Sequence, residues 1–301
     1  MLEDRILNKA LELIEEENVK EAYDYILKHK TVIPTPSSQY YNYLYCLAAL
    51  NNKNNEAIEY LEEAIFEKNY WCRPEVLEDD DLDSIRDTDR FEKCKDASMR
   101  KYNEALKTVE TVVTWDNKSE EKILLALHGN QQNLNHSKEH WDFLSEKSFQ
   151  VEYIQSKEID SCGIFRWDDN GTGPAQLIES IEKIDWDSYE VKVLGGFSAG
   201  CNVILRAILK YNLSVSAIIL QSPWIPVIDN NLISLIERIK EKNIKILIVC
   251  GMKDVDCLER SMIFYNELKT NGISVSSTWV NDLGHEFPED FKEIVVEFLE
   301  K

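Results

Sequence analysis

From about Thr108 onward, the apolar residues of this 301-residue chain stop recurring at helical spacing and gather into short runs of strand length, separated by stretches with helical patterning. Buried strands that alternate with helices pair side by side as βαβ units, so the alternation predicts a mostly parallel sheet with helices on both faces. The expected strands are residues 109–115, 122–127, 151–155, 191–195, 215–220, 244–249 and 274–280. Ligand chemistry in such a sheet is expected at the carboxyl ends of its strands.

The first hundred residues follow a different period. Ile6, Leu7, Ala10, Leu11 and Ile14 recur at the three-and-four spacing of one helical face, and no strand-like run interrupts the segment. Glu21, Ala22, Tyr25 and Ile26 match Glu56, Ala57, Tyr60 and Leu61 at an offset of 35 residues, near the period of tetratricopeptide helix pairs. The two copies resemble that family loosely, and helical hairpins broken at Pro34 and Pro36 are expected. The domain boundary is expected near residue 105, giving a helical, TPR-like domain over 1–105 and an α/β domain over 106–301. Residues 78–83 are acidic but lack the glycine turn and closing glutamate of a calcium loop, so they read as a solvated loop.

Charge narrows the functional class. With 55 Asp and Glu against 34 Lys and Arg the formal net charge is −21, which repels phosphate backbones and excludes nucleic acid as a substrate. No apolar run approaches the roughly 20 residues of a membrane span, and Glu3, Asp4 and Glu12 make the first helix unlike a signal peptide. Cys46, Cys72, Cys94, Cys162, Cys201, Cys250 and Cys257 are odd in number, contain no C-x-x-C pair and lie partly in apolar runs. That pattern suits free thiols in a reducing, cytoplasmic setting and argues against a disulfide framework or a structural zinc site.

The chemistry-bearing residues lie at strand ends. Residues 191–195 run directly into Gly196, Phe197, Ser198, Ala199 and Gly200, and a helical pattern through Val203, Ile204, Ala207 and Ile208 follows. This is the G-x-S-x-G elbow in its strand-turn-helix context, where glycines relieve a turn too tight for side chains and the serine hydroxyl is left exposed. A serine hydroxyl needs a positioned base. Of five histidines, His285 lies just after the last expected strand, in the run Leu283, Gly284, His285, Glu286, Phe287, Pro288. An acid is expected between nucleophile and base, and Asp254 follows the strand 244–249 at G-x-x-D spacing, with Asp256 a near competitor. Its role would be to fix the imidazole tautomer without taking the proton. Oxyanion donors are expected at the N–H of Ala199 and in the loop Leu127, His128, Gly129, Asn130, Gln131, where Asn130 is preferred over Gln131 and His128 reads as a loop brace.

With the motifs LHG, GFSAG, GMKD and GHEFP in that order, residues 108–301 resemble the α/β-hydrolase superfamily, nearest its carboxylesterase/phospholipase and dienelactone-hydrolase branch. The resemblance implies an α/β-hydrolase fold behind an all-α helical-hairpin domain, a Ser198–Asp254–His285 triad, no metal and no cofactor, and hydrolysis of esters or thioesters through an acyl-enzyme. Two departures stand out: the loop reads HGN where many lipases have HGGG, and simple carboxylesterases lack the helical domain. Little chain is available for a cap between Leu220 and Ile244. The helical domain is therefore expected to form one wall of the site, with Trp167, Phe197 and Trp224 supplying apolar surface to the acyl group.

The expected activity is cleavage of small or medium carboxylic esters. The same triad would serve a peptidase or a thioesterase, since pocket shape selects the scissile group. The rival from another class is an interaction protein in which the helical domain holds a protein partner and the hydrolase fold is incidental. Cys201 and Cys257 flank the proposed nucleophile and acid, but a cysteine mechanism is disfavoured because Cys201 should pack against the sheet.

Overall fold

A computed structural model of the chain describes residues 2–115, 120–167 and 171–301. The contacts divide it into two units: Met1–Val109 with Ile159–Ile164, and Glu110–Glu158 with Phe165–Lys301.

The first unit is built from α1 (Leu2–Glu15), α2 (Val19–His29), α3 (Ser38–Leu50), α4 (Asn54–Glu62), α5 (Asp83–Arg86) and α6 (Asp89–Leu106). Helices α1 to α4 pack each on the next. The repeated positions fall on α2 and α4, where Ala22, Ala57, Ile26 and Leu61 are all fully buried. Small residues at Ala22 and Ala57 let neighbouring helices approach, and Tyr23 ties the copies together by donating to Glu56 at 2.7 Å. Pro34 and Pro36 lie between α2 and α3, and the Ser37 hydroxyl starts α3 by accepting from the Tyr40 N–H. Across residues 78–83, short 3₁₀ turns wrap the Arg86 guanidinium, which donates to the carbonyls of Leu77, Glu78 and Asp79.

The return of the chain at Ile159–Ile164 completes this unit. Ser161 pairs with Cys72 across an antiparallel bridge. Arg73 donates to Asp160 at 2.7 Å, the Cys162 N–H donates to the Trp71 carbonyl at 2.8 Å, and the Ser38 hydroxyl donates to the Cys162 carbonyl at 3.0 Å.

The second unit holds a seven-stranded sheet in the order β1-β3-β2-β6-β7-β8-β9. Its strands are β1 (Val112–Val113), β2 (Lys122–Leu127), β3 (Phe149–Gln155), β6 (Val191–Phe197), β7 (Ala217–Gln221), β8 (Lys245–Gly251) and β9 (Val275–Val280). All neighbours are parallel except β1, which pairs antiparallel with β3. The helices α7 (Leu134–Trp141), α8 (Thr172–Glu182), α9 (Ala199–Lys210), α10 (Ile228–Glu241), α11 (Leu258–Thr270) and α12 (Phe291–Glu300) fill the connections. Successive strand residues feed opposite cores: Leu125, Leu127, Leu194 and Ile218 pack with α8 to α11, while Leu124, Ala126, Val193 and Ile219 pack with Trp141 and α12. Between β7 and β8 the single helix α10 leaves no large cap.

Two details differ from the sequence expectation. Only Val112 and Val113 of residues 109–115 form a strand, and the Val109 N–H is still spent on the Ala105 carbonyl at the end of α6. The hairpin β4 (Glu158–Ser161) and β5 (Ile164–Arg166) was not expected, since its apolar positions are too few and too mixed with Glu158, Asp160 and Arg166 to mark a strand.

Candidate active site

The elbow explains the glycines around Ser198. Ser198 sits between β6 and α9 with φ 51° and ψ −121°, a conformation that side-chain-bearing residues rarely adopt. A Cβ at Gly196 would lie 2.9 Å from the Cys201 nitrogen, and one at Gly200 would lie 2.6 Å from the His128 carbonyl oxygen. The strand can therefore turn into the helix, and the helix can rest on the end of β2, only with glycine at both places. The Cys201 thiol is fully buried and donates to the Gly196 carbonyl at 3.1 Å. Burial pushes that thiol well up, so it packs and does not react.

The loop after β2 approaches the nucleophile at Gly129, where an added Cβ would stand 3.1 Å from the Ser198 Cβ and 2.8 Å from the Phe197 ring. His128 holds this loop from beneath. It is fully buried, its Nδ1–H donates to the Gly129 carbonyl at 2.6 Å, and its Nε2 accepts from the Ser156 N–H at 3.2 Å. Burial drives its pKa down to about 4, which keeps the ring neutral in the tautomer this bonding needs. Asn130 accepts from the Trp167 N–H at 2.8 Å, and the Trp167 indole donates to the His128 carbonyl at 2.7 Å while stacking on its ring. Among the described residues, the backbone N–H groups of Asn130 and Ala199 make no hydrogen bond. Gln131, the alternative donor, adopts a positive φ of 59°.

Base and acid meet beyond β8 and β9. His285 Nδ1 lies 2.8 Å from Asp254 Oδ2. Asp254 is 2% exposed, whereas Asp256 is exposed and makes no such contact. Burial alone would raise the Asp254 carboxyl, but hydrogen bonds from the side chains of His285, Cys257 and Ser222 outweigh it and hold the group below its ordinary value. The loop carrying His285 is pressed onto Gly251, where a Cβ would come within 2.2 Å of the Leu283 carbonyl oxygen. It is pinned by the Lys253 N–H donating to Leu283 at 2.9 Å and by the Gln221 amide donating to the Glu286 carbonyl at 2.8 Å.

Phe197 links the two halves, with its ring centroid 4.9 Å from that of His285 and 4.8 Å from that of Phe287. Among the described residues the Ser198 hydroxyl has no hydrogen-bond partner, and contacts between nucleophile and base often tighten only around substrate. The aromatic expectations divide. Trp167, expected to supply apolar surface to the acyl group, is 3% exposed and braces the Asn130 loop. Phe197 is buried against the imidazole, and Trp224 is half-buried on the α9–α10 side of the core.

Two contributors were not foreseen, and a third, Cys257, was noted only for its place beside the acid. Ser222 and Gln221 act through hydrogen bonds across strand ends, and Cys257 places its thiol 3.6 Å from His285 Nδ1. Gln221 ends β7 and Ser222 follows it, and a polar pair at the end of a buried strand was the one signal available for them. Asp254, Cys257 and His285 are also the one group of three among the described residues that could hold a metal ion.

The comparisons with known proteins agree with this architecture. Residues 3–106 match the A/B hydrolase-like N-terminal domain, and residues 176–301 match the phospholipase/carboxylesterase family. An uncharacterized protein from Bacillus cereus ATCC 10987 is 33% identical over 98% of this chain and 97% of its own, with a TM-score of 0.58. A structure from work on carboxylesterases of the thaumarchaeon Nitrososphaera gargenis shares the fold, at 11% identity over 63% of this chain and 94% of its own and a TM-score of 0.51. No curated protein matches. Residues 3–106 thus belong to the A/B hydrolase-like N-terminal domain family and residues 176–301 to the phospholipase/carboxylesterase family, on an α/β-hydrolase fold.

Proposed function

We propose that the protein is a serine hydrolase that cleaves carboxylic esters of small or medium acyl groups through an acyl-enzyme on Ser198. The observation that carries the reading is the 2.8 Å pair of His285 with the buried Asp254, which follows Ser198 on its strained elbow in serine, acid, histidine order. In this reading Asp254 accepts the Nδ1–H of His285 and leaves Nε2 as the base. Nε2 takes the Ser198 proton as Oγ attacks the ester carbonyl. The oxyanion that forms is met by the N–H groups of Ala199 and Asn130, each donor worth about 3 to 4 kcal/mol of barrier.

Collapse expels the alcohol, protonated by His285. Water then attacks the acyl-enzyme with the same imidazole as base, and the acid leaves with Ser198 restored. Phe197 and Phe287 shape the surface beside the imidazole and favour an apolar acyl group. Free cysteines and a lack of any membrane-length apolar helix among the described residues support a cytoplasmic location. The test is turnover of p-nitrophenyl acetate, butyrate and octanoate. Hydrolysis of the short and medium esters is expected, and a folded protein inert toward all three would overturn the reading.

A further inference from the structure

The side chain of Cys257 has no step in ester hydrolysis, yet it stands against the catalytic base. Asp254 Oδ2, Cys257 Sγ and His285 Nδ1 lie within 4.8 Å of one another. The Sγ to Nδ1 distance is 3.6 Å, and Nδ1 to Oδ2 is 2.8 Å. In a tetrahedral zinc site with Zn–S about 2.3 Å and Zn–N or Zn–O about 2.0 Å, the S to N edge is about 3.5 Å and the N to O edge about 3.3 Å. One edge is already at ligating length. The N to O edge has to open by about half an ångström, and the third edge, from Cys257 Sγ to Asp254 Oδ2, lies within 4.8 Å against about 3.5 Å in a tetrahedron.

With the loop backbone pinned, rotation of the His285 side chain supplies that movement. Asp254 and Cys257 are buried at the fixed start of α11, whereas the His285 side chain is 41% exposed, so the imidazole can slide toward solvent. The donor set also selects the metal: a thiolate and an imidazole suit Zn²⁺ or Cd²⁺, whereas Mg²⁺ and Ca²⁺ require oxygen ligands.

We propose that Asp254, Cys257 and His285 form an inhibitory site for Zn²⁺ or Cd²⁺, with water completing the tetrahedron on the solvent side. Binding releases the Cys257 proton to solvent and places the metal on Nδ1. The proton formerly on Nδ1 moves to Nε2, so the imidazole presents a donor to Ser198 where the hydrolytic reaction needs an acceptor. Inhibition thus acts through the tautomer, with Ser198 untouched. The inhibitory consequence rests on the serine-hydrolase reading, whereas the binding does not.

The experiment titrates Cd²⁺ into the full-length chain while following the ultraviolet thiolate-to-cadmium charge-transfer band and ester turnover together. Wild type is compared with Cys257→Ala and Cys257→Ser, two fillings of the same buried position that keep the backbone N–H on Asp254. Wild type is expected to gain the band and lose turnover in parallel, with both reversed by EDTA. Each variant is measured against its own metal-free turnover, and both are expected to need about 100-fold or more additional Cd²⁺ for the same fractional inhibition, since losing even an outer partner of a metal ligand costs 10 to 100-fold. Equal inhibition of wild type and variants, or an equal charge-transfer band in all of them, would overturn the proposal. If wild type hydrolyses no ester, the functional reading falls, and the band difference between wild type and variants still decides the metal site.

Discussion

Asp254 and His128 show how burial is put to opposite uses in the same candidate site. Asp254 stays ionised because three donors converge on it, so its charge is available to orient His285. Asp254→Asn keeps the shape but offers an amide that favours the wrong tautomer, and kcat is expected to fall by about 10⁴-fold with the unfolding midpoint little changed. Steady-state kinetics and thermal melts on the same preparation separate the two effects. His128 is kept neutral, with a folded pKa of about 4 against an ordinary value near 6.5. The unfolded chain takes up a proton that the folded chain refuses, so stability from this residue is complete above about pH 6.5 and is lost as the pH falls toward about 4. The loss amounts to about 3 kcal/mol, from about 1.4 kcal/mol for each pH unit of displacement. Urea unfolding of wild type and His128→Gln at pH 7 and pH 4.5 measures it: the wild type should lose more stability on acidification than the variant.

Elements position these residues through contacts that no side chain makes. The sharpest case is Gly251 at the end of β8, which accepts the Leu283–Gly284 backbone against its bare Cα. Gly251→Ala is expected to push the His285 loop outward and to reduce kcat/KM by about 100-fold, the usual effect of a 1 Å misplacement, while the sheet persists by circular dichroism. Much of this frame is legible in the sequence. Strands β2, β7 and β8 are nearly continuous apolar runs because both faces of a parallel sheet are buried, and the elbow announces itself by glycines that only a strand-to-helix turn requires. The β4–β5 hairpin is silent because its partners in the first unit, Trp71, Cys72 and Arg73, are nearly ninety residues away in sequence. Ser222 and Gln221 are hidden for the same reason: a polar residue after a buried strand looks like a loop until the loop it holds is known.

In the whole molecule, the chain is not divided by one cut. Ile159–Ile164 belongs with residues 1–109, and its ties to Arg73, Trp71 and Ser38 disappear if that unit is removed. A chain lacking residues 1–109 is expected to aggregate or to melt well below the full-length protein, because buried Ile159 and the hairpin's hydrogen-bonding groups lose their partners. Size-exclusion chromatography and thermal denaturation of the truncated chain check this. The central claim concerns what the assembled strand ends do, and it is tested most directly by reacting the full-length protein with a fluorophosphonate probe, wild type beside Ser198→Ala. Stoichiometric labelling of wild type on Ser198, absent from the variant, is the predicted result. A folded wild type that takes up no probe, or a Ser198→Ala variant that labels as well as wild type, would contradict the account.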